Sequence, residues 1–245
     1  MVYQELTFYI CLFWIAYLYA SVGHGGASGY LAIMGLFAVS AVTMRPSALL
    51  LNCLVSLIAF IQYYRAGHFQ WKFFIPFAIT SVPAAFWGGT IQLDEFIYKK
   101  ILAILLVVSI IQLLKSNKQV ALADLKPAPF YYCMIIGTII GFISGLIGIG
   151  GGIILSPLLL FLHWATIKQT SATAALFIFV NSVAGIFGIG IHALQFHPHI
   201  FLCILLVAVG GFIGAYAGAF KHNEIVLKRI LAFVLCIAVF KLLMS

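Results

Sequence analysis

Two glycine-rich motifs interrupt hydrophobic segments at matching places in the chain. The second motif, residues 145–152, carries four glycines within positions 148–152, and the first motif, residues 23–29, begins with Gly23, which lies 125 positions before Gly148. In lipid, an interrupted helix leaves backbone N–H and C=O groups without partners. This is tolerated only where the backbone is buried in protein or lines a polar cavity. Matched breaks in the two halves of a membrane protein therefore predict a transport site.

The chemistry that these motifs offer suits a small anion. Glycines let backbone N–H groups approach a ligand closely, and a helix that begins directly after them adds roughly half a unit of positive charge at its N-terminus. Hydroxyl and amide side chains nearby supply further donors. Two such half-sites facing each other would enclose an oxyanion without a buried cation. The predicted substrate-binding residues are Gly23, His24, Gly25, Gly26, Ser28, Asn52, Gly148, Gly150, Gly151, Gly152, Ser156, Thr170, Ser171 and Asn181.

Each of these residues also has an ordinary structural interpretation. Glycines often let membrane helices pack closely, and this is the preferred interpretation for Gly210, Gly211, Gly214 and Gly218. The asparagines also suit hydrogen bonds between helices, and the hydroxyls suit bonds to their own helix backbone. His24 is the one titratable residue inside a motif. It contacts the anion, carries a proton near neutral pH, or packs as a neutral ring.

The acidic residues argue against several other functions. Cation transporters and proton relays usually place carboxylates within the membrane, but all five acids here lie at segment ends or in loops. An intramembrane enzyme built on His24 with Ser28 or Cys53 would lack an orienting acid, so we predict that the chain is not an enzyme. The acids are Glu5, Asp94, Glu95, Asp124 and Glu224.

The composition is that of a multi-spanning membrane protein. Of 245 residues, 64% are apolar and only 7% are charged, with a mean hydropathy of +1.19, whereas soluble domains carry about 25% charged residues. The excess of 13 basic over 5 acidic residues fits cytoplasmic loops rather than nucleic-acid binding. The five scattered cysteines show no metal-like spacing, and His192, His197 and His199 lack an acid or thiol to complete a site. We therefore predict neither a metal nor a cofactor.

Hydropathy divides the chain into ten apolar segments. The second and seventh directly follow the glycine motifs and are shorter than the roughly 20 residues of a full span, so they either cross as short helices or are re-entrant. The first segment lacks the basic start of a signal peptide and is predicted to be a permanent span. The segments are 6–20, 29–43, 47–64, 73–91, 96–114, 129–147, 152–164, 170–191, 198–220 and 225–244.

The two halves of the chain repeat. At an offset of 129, Asp94–Lys115 aligns with Asn223–Met244, including two identical charged pairs, and Asn52 aligns with Asn181. We predict a first repeat over 1–114, a cytoplasmic linker over 115–128 and a second repeat over 129–245. The charged pairs are Glu95 with Glu224 and Lys99 with Lys228.

The basic residues predict how the halves are oriented. If each half crosses the membrane an odd number of times, the loops 65–72, 115–128, 165–169 and 221–229 share one face. These loops carry nine of the 13 basic residues, and the opposite face carries the other four. The positive-inside rule then places the richer face in the cytoplasm. An odd count makes the repeats inverted and puts the N-terminus outside.

The paired motifs resemble those of the TauE/SafE family of bacterial sulfite exporters, also described as organosulfonate permeases. The resemblance rests on residues 145–152 with the following Ser156 and Pro157, on the weaker 21–26, and on the patterns at 170–172 and 181–182. The first motif departs from the second, because His24 and Ala27 stand where the second has Ile149 and Gly152. The resemblance implies transport of sulfite, thiosulfate or organosulfonates across the bacterial cytoplasmic membrane.

Together these observations predict an all-α polytopic membrane protein with two inverted-topology repeats of about five hydrophobic segments each and glycine-broken short or re-entrant segments at the centre. We expect a multi-pass carrier that works by alternating access. The alternatives are a passive anion channel and a carrier for a small carboxylate or other solute. The expected partners are a small anionic substrate and the lipid bilayer, with a coupling proton or ion and a homodimer as further possibilities, and no nucleic acid.

Overall fold

The computed structural model describes residues 2–115, 125–190 and 194–220, and within these ranges the regular elements are all α-helices. Five of the nine helices are long and apolar enough to cross a membrane: α3, α4, α6, α8 and α9. The predicted all-α polytopic fold is therefore confirmed. In chain order the helices are α1 (Val2–Ser21), α2 (Ala27–Leu36), α3 (Ala41–Arg65), α4 (Trp71–Thr90), α5 (Glu95–Lys115), α6 (Phe130–Ile147), α7 (Gly152–Phe161), α8 (Ile167–Ile189) and α9 (Ile200–Phe220).

Nine of the ten predicted segments correspond to these helices, and the tenth, 225–244, lies outside the described residues. The two short segments are shorter still than predicted, at 10 residues each for α2 and α7. At 1.5 Å per residue such a helix spans roughly 15 Å, about half of the hydrocarbon core. Neither helix is long enough to cross the membrane by itself.

Glycines in the left-handed conformation set where α6 ends and where both short helices begin. Gly148 closes α6 with a φ of 86°, Gly26 precedes α2 with a φ of 100°, and Gly151 precedes α7 with a φ of 78°. A side chain is disfavoured in this conformation because its Cβ crowds the following carbonyl. The glycine motifs therefore act first as breakers that stop one helix and start another.

Two helix pairs pack closely through glycines spaced four residues apart. On α6 and on α9, each glycine lies against a backbone carbonyl of the partner helix, so that an added Cβ would collide with it. In both pairs the contacts advance in the same direction along the two helices, which are therefore parallel. Small residues at such contacts are a common means of membrane helix association. The contacts are Gly137–Phe77, Gly141–Ser81 and Gly145–Ala85 between α6 and α4, and Gly210–Phe13, Gly214–Tyr17 and Gly218–Ser21 between α9 and α1.

The central pair, α3 and α8, runs antiparallel. Leu49 contacts the position of Gly185, Asn52 bonds Ser182, and Tyr63 lies beside Lys168. Residue numbers rise along one helix as they fall along the other. Because α3 and α8 are the third helices of the two predicted repeats, this packing supports the inverted orientation, which stays a prediction along with the side of the membrane that each end faces.

The interior and the outer surface are both apolar. Large side chains such as Tyr19, Tyr30 and Phe177 are fully buried, while Trp87 and Phe201 are 71% and 83% exposed. So many exposed aromatic and aliphatic side chains would be unfavourable in contact with water. They suit a surface in contact with lipid tails.

Candidate substrate site between the glycine loops

The site is built around two loops that the structure brings together. We call residues 22–26 the first glycine loop and residues 148–151 the second glycine loop. Asn52, near the middle of α3, lies between them: a Cβ on Gly25 would collide with Asn52 Oδ1, and a Cβ on Gly150 would collide with Asn52 Nδ2. Glycine at these two positions is therefore what lets both loops reach the same side chain.

Both ends of the Asn52 amide are hydrogen-bonded. Its Oδ1 accepts from the backbone N–H of Ala27 at 3.0 Å, and its Nδ2 donates to Ser182 Oγ at 2.8 Å. Ala27 is the first residue of α2, so Asn52 satisfies a helix N-terminal N–H that would otherwise have no partner. The side chain is buried, and it ties the start of α2 to the middle of α8.

Two further hydrogen bonds cross between the halves. Ser171 Oγ donates to the carbonyl of Val22 at 3.0 Å, and His24 Nε2 lies 3.1 Å from Ser156 Oγ. His24 Nδ1 lies 2.9 Å from the carbonyl of Val22. A carbonyl can only accept, so Nδ1 carries a proton, and in the neutral ring Nε2 then accepts from the Ser156 hydroxyl. The first glycine loop is thus held by both α7 and α8.

Two further predicted site residues, Ser28 and Asn181, form hydrogen bonds close to their own positions in the sequence. Ser28 Oγ is 2.6 Å from Tyr19 Oη and so is already paired. Asn181 Nδ2 donates to the carbonyl of Phe177 on its own helix at 2.8 Å, and its buried Oδ1 has no hydrogen-bond partner. The expectation that Asn52 and Asn181 act as equivalents is therefore not matched by their contacts.

Each short helix begins with two backbone N–H groups that have no recorded acceptor among the described residues. Within the described part of the chain, no acceptor is recorded for the N–H groups of Gly152 and Ile153, the first two of α7. Thr170 Oγ1 is also buried without a hydrogen-bond partner. In α2 the first N–H is held by Asn52, and no acceptor is recorded for the next two, of Ser28 and Gly29. The two helix starts thus differ in which N–H groups lack an acceptor: the first and second in α7, the second and third in α2.

The glycines also make room for protein atoms. Gly23, with a φ of 76°, lies against Ser171, and a Cβ on Gly151 would come within 2.8 Å of Ile140 and 2.9 Å of Phe177. A Cβ on Gly152 would collide with Ile178. The close-packing interpretation therefore holds for these positions in the described conformation, and substitutions there act on packing before they act on any ligand.

Sequence reasoning missed Ser182, Tyr19 and the setting of Arg45. Ser182 directly follows a predicted site residue, but nothing in the pattern shows that it, rather than Asn181, meets Asn52. Tyr19 lies one turn before the first glycine motif among other aromatic residues.

Among the described residues no group of three His, Cys, Asp or Glu side chains could hold a metal ion, and His192 lies outside those residues.

Comparison with known proteins agrees with this architecture. The family model for the sulfite exporter TauE/SafE matches residues 8–242. A probable membrane transporter protein, y4hK from Sinorhizobium fredii, is 38% identical over 237 residues that cover 96% of each chain. A second probable membrane transporter, MJ0441 from Methanocaldococcus jannaschii, is 31% identical over 54% of this chain and 49% of its own length. No solved structure matches the chain. The chain is a multi-pass membrane transporter that belongs to the TauE/SafE family.

Proposed function

We propose that this transporter moves a small sulfur-containing oxyanion, such as sulfite, thiosulfate or an organosulfonate, across the bacterial cytoplasmic membrane by alternating access. Members of the family are transporters rather than enzymes. The proposal rests above all on the meeting of the two glycine loops at Asn52. A ligand bound there would contact both halves of the chain at once.

The donors at this position suit an oxyanion. Ser156 and Ser171 offer hydroxyls, and the first N–H groups of α7 lie at the positive end of a helix. None of the predicted site residues is a carboxylate, so the site would not repel an anion. In this proposal the anion takes the place of internal partners, accepting the bonds that Ser156 now gives to His24 and Ser171 to Val22.

The packing of helices from the two halves against one another supports alternating access. The antiparallel pair α3 and α8 would form the axis, and the parallel pairs α1/α9 and α4/α6 each join a helix from residues 1–114 to one from residues 129–245. In this proposal the repeats are inverted, with the N-terminus outside and the 115–128 linker in the cytoplasm. Separation of one of the two parallel pairs would then open the site to one side of the membrane, and separation of the other pair would open it to the opposite side. His24 is then the candidate carrier of a coupling proton.

Anion binding by the purified protein tests the substrate class. A ligand that binds only the folded state raises its stability by mass action, by about 2.7 kcal/mol at 100 times the dissociation constant. We expect thermal stabilisation by sulfite, thiosulfate or an organosulfonate, but not by chloride at equal ionic strength. Stabilisation by acetate or malonate alone would assign the site to carboxylates instead.

Transport by the reconstituted protein tests the mechanism. Proteoliposomes loaded with unlabelled sulfite should accumulate labelled sulfite transiently, because a carrier exchanges substrate across the membrane. A flux that does not saturate and shows no counterflow would identify a passive anion channel.

A further inference from the structure

A buried arginine lies at the ends of two helices. Arg45, in the first turns of α3, is only 9% exposed. Its Nη2 donates to the carbonyls of Gly88, Gly89 and Gly145 at 3.0, 2.9 and 2.6 Å, and its Nη1 donates to Ile91 at 2.9 Å. These carbonyls close α4 and α6. The guanidinium thus joins the C-terminal ends of one helix from each half.

Among the described residues, the charge of Arg45 is balanced only by backbone dipoles. Helix C-termini carry a partial negative charge, roughly half a unit each, but all four recorded hydrogen bonds of this side chain end on carbonyls, and none on a carboxylate of the described residues. The Nε–H is buried and has no hydrogen-bond partner. A buried charge without a counter-ion is costly in a protein, and an anion would relieve that cost.

Arg45 also lies against the second glycine loop. A Cβ on Gly148, the first residue of the loop, would be 3.0 Å from Arg45 Cγ. The preceding residue, Ile147, accepts a hydrogen bond from Tyr98 Oη at 3.0 Å. The aliphatic part of Arg45 is therefore next to a predicted half-site, and its guanidinium, bonded to the carbonyl of Gly145 three residues before the loop, could exchange helix-end carbonyls for oxygens of a ligand.

The other half has a counterpart. Lys168, half-buried in the first turn of α8, donates from Nζ to the carbonyls of Gly218 and Ala219, which close α9, at 2.5 and 3.1 Å. Its Nζ lies 5.9 Å above the ring of Tyr63, whose hydroxyl donates to Ser21 at the end of α1. Ser21 directly precedes the first glycine loop. Each loop is thus flanked by one cation and one tyrosine that close a pair of parallel helices.

We propose that Arg45 and Lys168 are the charge-selecting residues of the transport path, each contacting the anion at one glycine loop in place of helix-end carbonyls. This rests on the proposed function and adds the fixed positive charges that it lacks. The planar guanidinium can hold two oxygens of an oxyanion at once, whereas the ammonium acts as a point charge. An anion that takes Arg45 away from α4 and α6 also frees the ends of those helices to separate.

The test compares anions of different charge. We would titrate the purified protein with thiosulfate, a dianion, and methanesulfonate, a monoanion, and repeat this for Arg45→Gln, Arg45→Lys and Lys168→Gln. Arg65→Gln is the matched control, because Arg65 is exposed at the far end of α3. We expect Arg45→Gln to weaken thiosulfate binding about tenfold to a hundredfold, as for a lost charge-assisted hydrogen bond, and methanesulfonate binding by less. Arg45→Lys, which keeps the positive charge, should keep much of the preference for thiosulfate over methanesulfonate.

Several outcomes distinguish this proposal from the alternative that Arg45 and Lys168 only hold helix ends together. If Arg45→Gln and Lys168→Gln lower the melting temperature but leave the ratio of the two affinities unchanged, the proposal is overturned. If Arg45→Gln does not fold, the ratio of thiosulfate to methanesulfonate affinity in Lys168→Gln tests the proposal instead, because Lys168 is only half-buried. Acetate and malonate are titrated in parallel: if only they bind and their ratio depends on Arg45, the sulfur substrate is wrong but the charge-selecting role stands. If no anion binds the unmodified chain, both proposals fail.

Discussion

The two glycine loops come from equivalent places in the repeats but are used differently. In the first loop the N-terminal N–H of α2 is held by Asn52, and Ser28 is paired with Tyr19. In the second loop, among the described residues, the first N–H groups of α7 have no recorded acceptor. A duplicated motif has therefore produced one helix start whose first N–H is held by a side chain and one whose first N–H has no recorded acceptor.

The difference has a physical cause in the spacing of the chain. Asn52 follows Gly25 by 27 residues, whereas Asn181 follows Gly150 by 31, and four residues are about one helical turn. In the second half, which contains this extra turn, Asn181 bonds its own helix, and Ser182 rather than Asn181 contacts Asn52. One asparagine serves both loops, so the centre of the molecule is less symmetric than the sequence.

The largest effect is expected from adding a side chain to the second loop. Gly151→Ala places a Cβ against Ile140 and Phe177 at a φ of 78°, which should cost about 1–3 kcal/mol in overpacking and about 1–2 kcal/mol in backbone strain. Gly67→Ala is the control, with a φ of 77° and no atom within 4 Å. Thermal unfolding in detergent should show a much larger loss for Gly151→Ala. Equal losses would mean that the loop is not packed as described.

The asymmetry of the asparagines gives the next effect. Asn52→Ala removes two buried hydrogen bonds and leaves the Ala27 N–H unsatisfied, so we expect about 1–3 kcal/mol of destabilisation. Asn181→Ala loses only a bond to its own helix and should cost less than about 1 kcal/mol. Chemical or thermal unfolding of the two variants measures this directly. A larger loss for Asn181→Ala would reverse the comparison of the two loops.

How much of this could be predicted from the sequence depends on whether the signal is local. Glycines after apolar runs predicted the breaks before α2 and α7 correctly, because the backbone conformation is a property of the residue itself. The partner of Asn52 depends on how α3 and α8 slide past one another, which no local pattern encodes. The burial of Arg45 depends on where α4 and α6 end, which the sequence around Arg45 does not encode.

A smaller effect should come from the contact between His24 and Ser156. Its length of 3.1 Å predicts a coupling of about 0.5–1 kcal/mol in a double-mutant cycle. His24→Ile is the informative change, because it gives the first loop the residue that the second has at Ile149. Melting temperatures of His24→Ile, Ser156→Ala and the double variant complete the cycle. Additive effects would show that the loops are not coupled through this pair.

The smallest effect concerns pH, which separates the loops because only the first contains a histidine. The pKa of His197, outside the membrane spans, is lowered by burial and by His199, partly offset by Glu5. The pKa of His68, which lies 129 positions before His197 in the sequence, is lowered by burial and by Lys168. A histidine whose pKa is lower in the folded state takes up its proton more readily when unfolded, so stability should fall as pH drops below about 6.5.

Melting temperatures between pH 8 and pH 5 measure this dependence. His197→Gln and His68→Gln should each flatten part of the curve. A double variant whose curve matches that of the unmodified chain would mean that neither histidine contributes. The further change that His24→Ile makes to the curve of the double variant reports on the first loop.

The most direct test of the central claim, that both glycine loops form one anion site around Asn52, is the sulfite affinity of three proteins. We would titrate the unmodified chain, Asn52→Asp and Asn181→Asp at a temperature where all three are folded. The account predicts that Asn52→Asp, which places a carboxylate between the loops and removes the donor to Ser182, abolishes sulfite binding. Asn181→Asp should retain most of the affinity. Undiminished binding by Asn52→Asp would contradict the account and place the substrate elsewhere in the molecule.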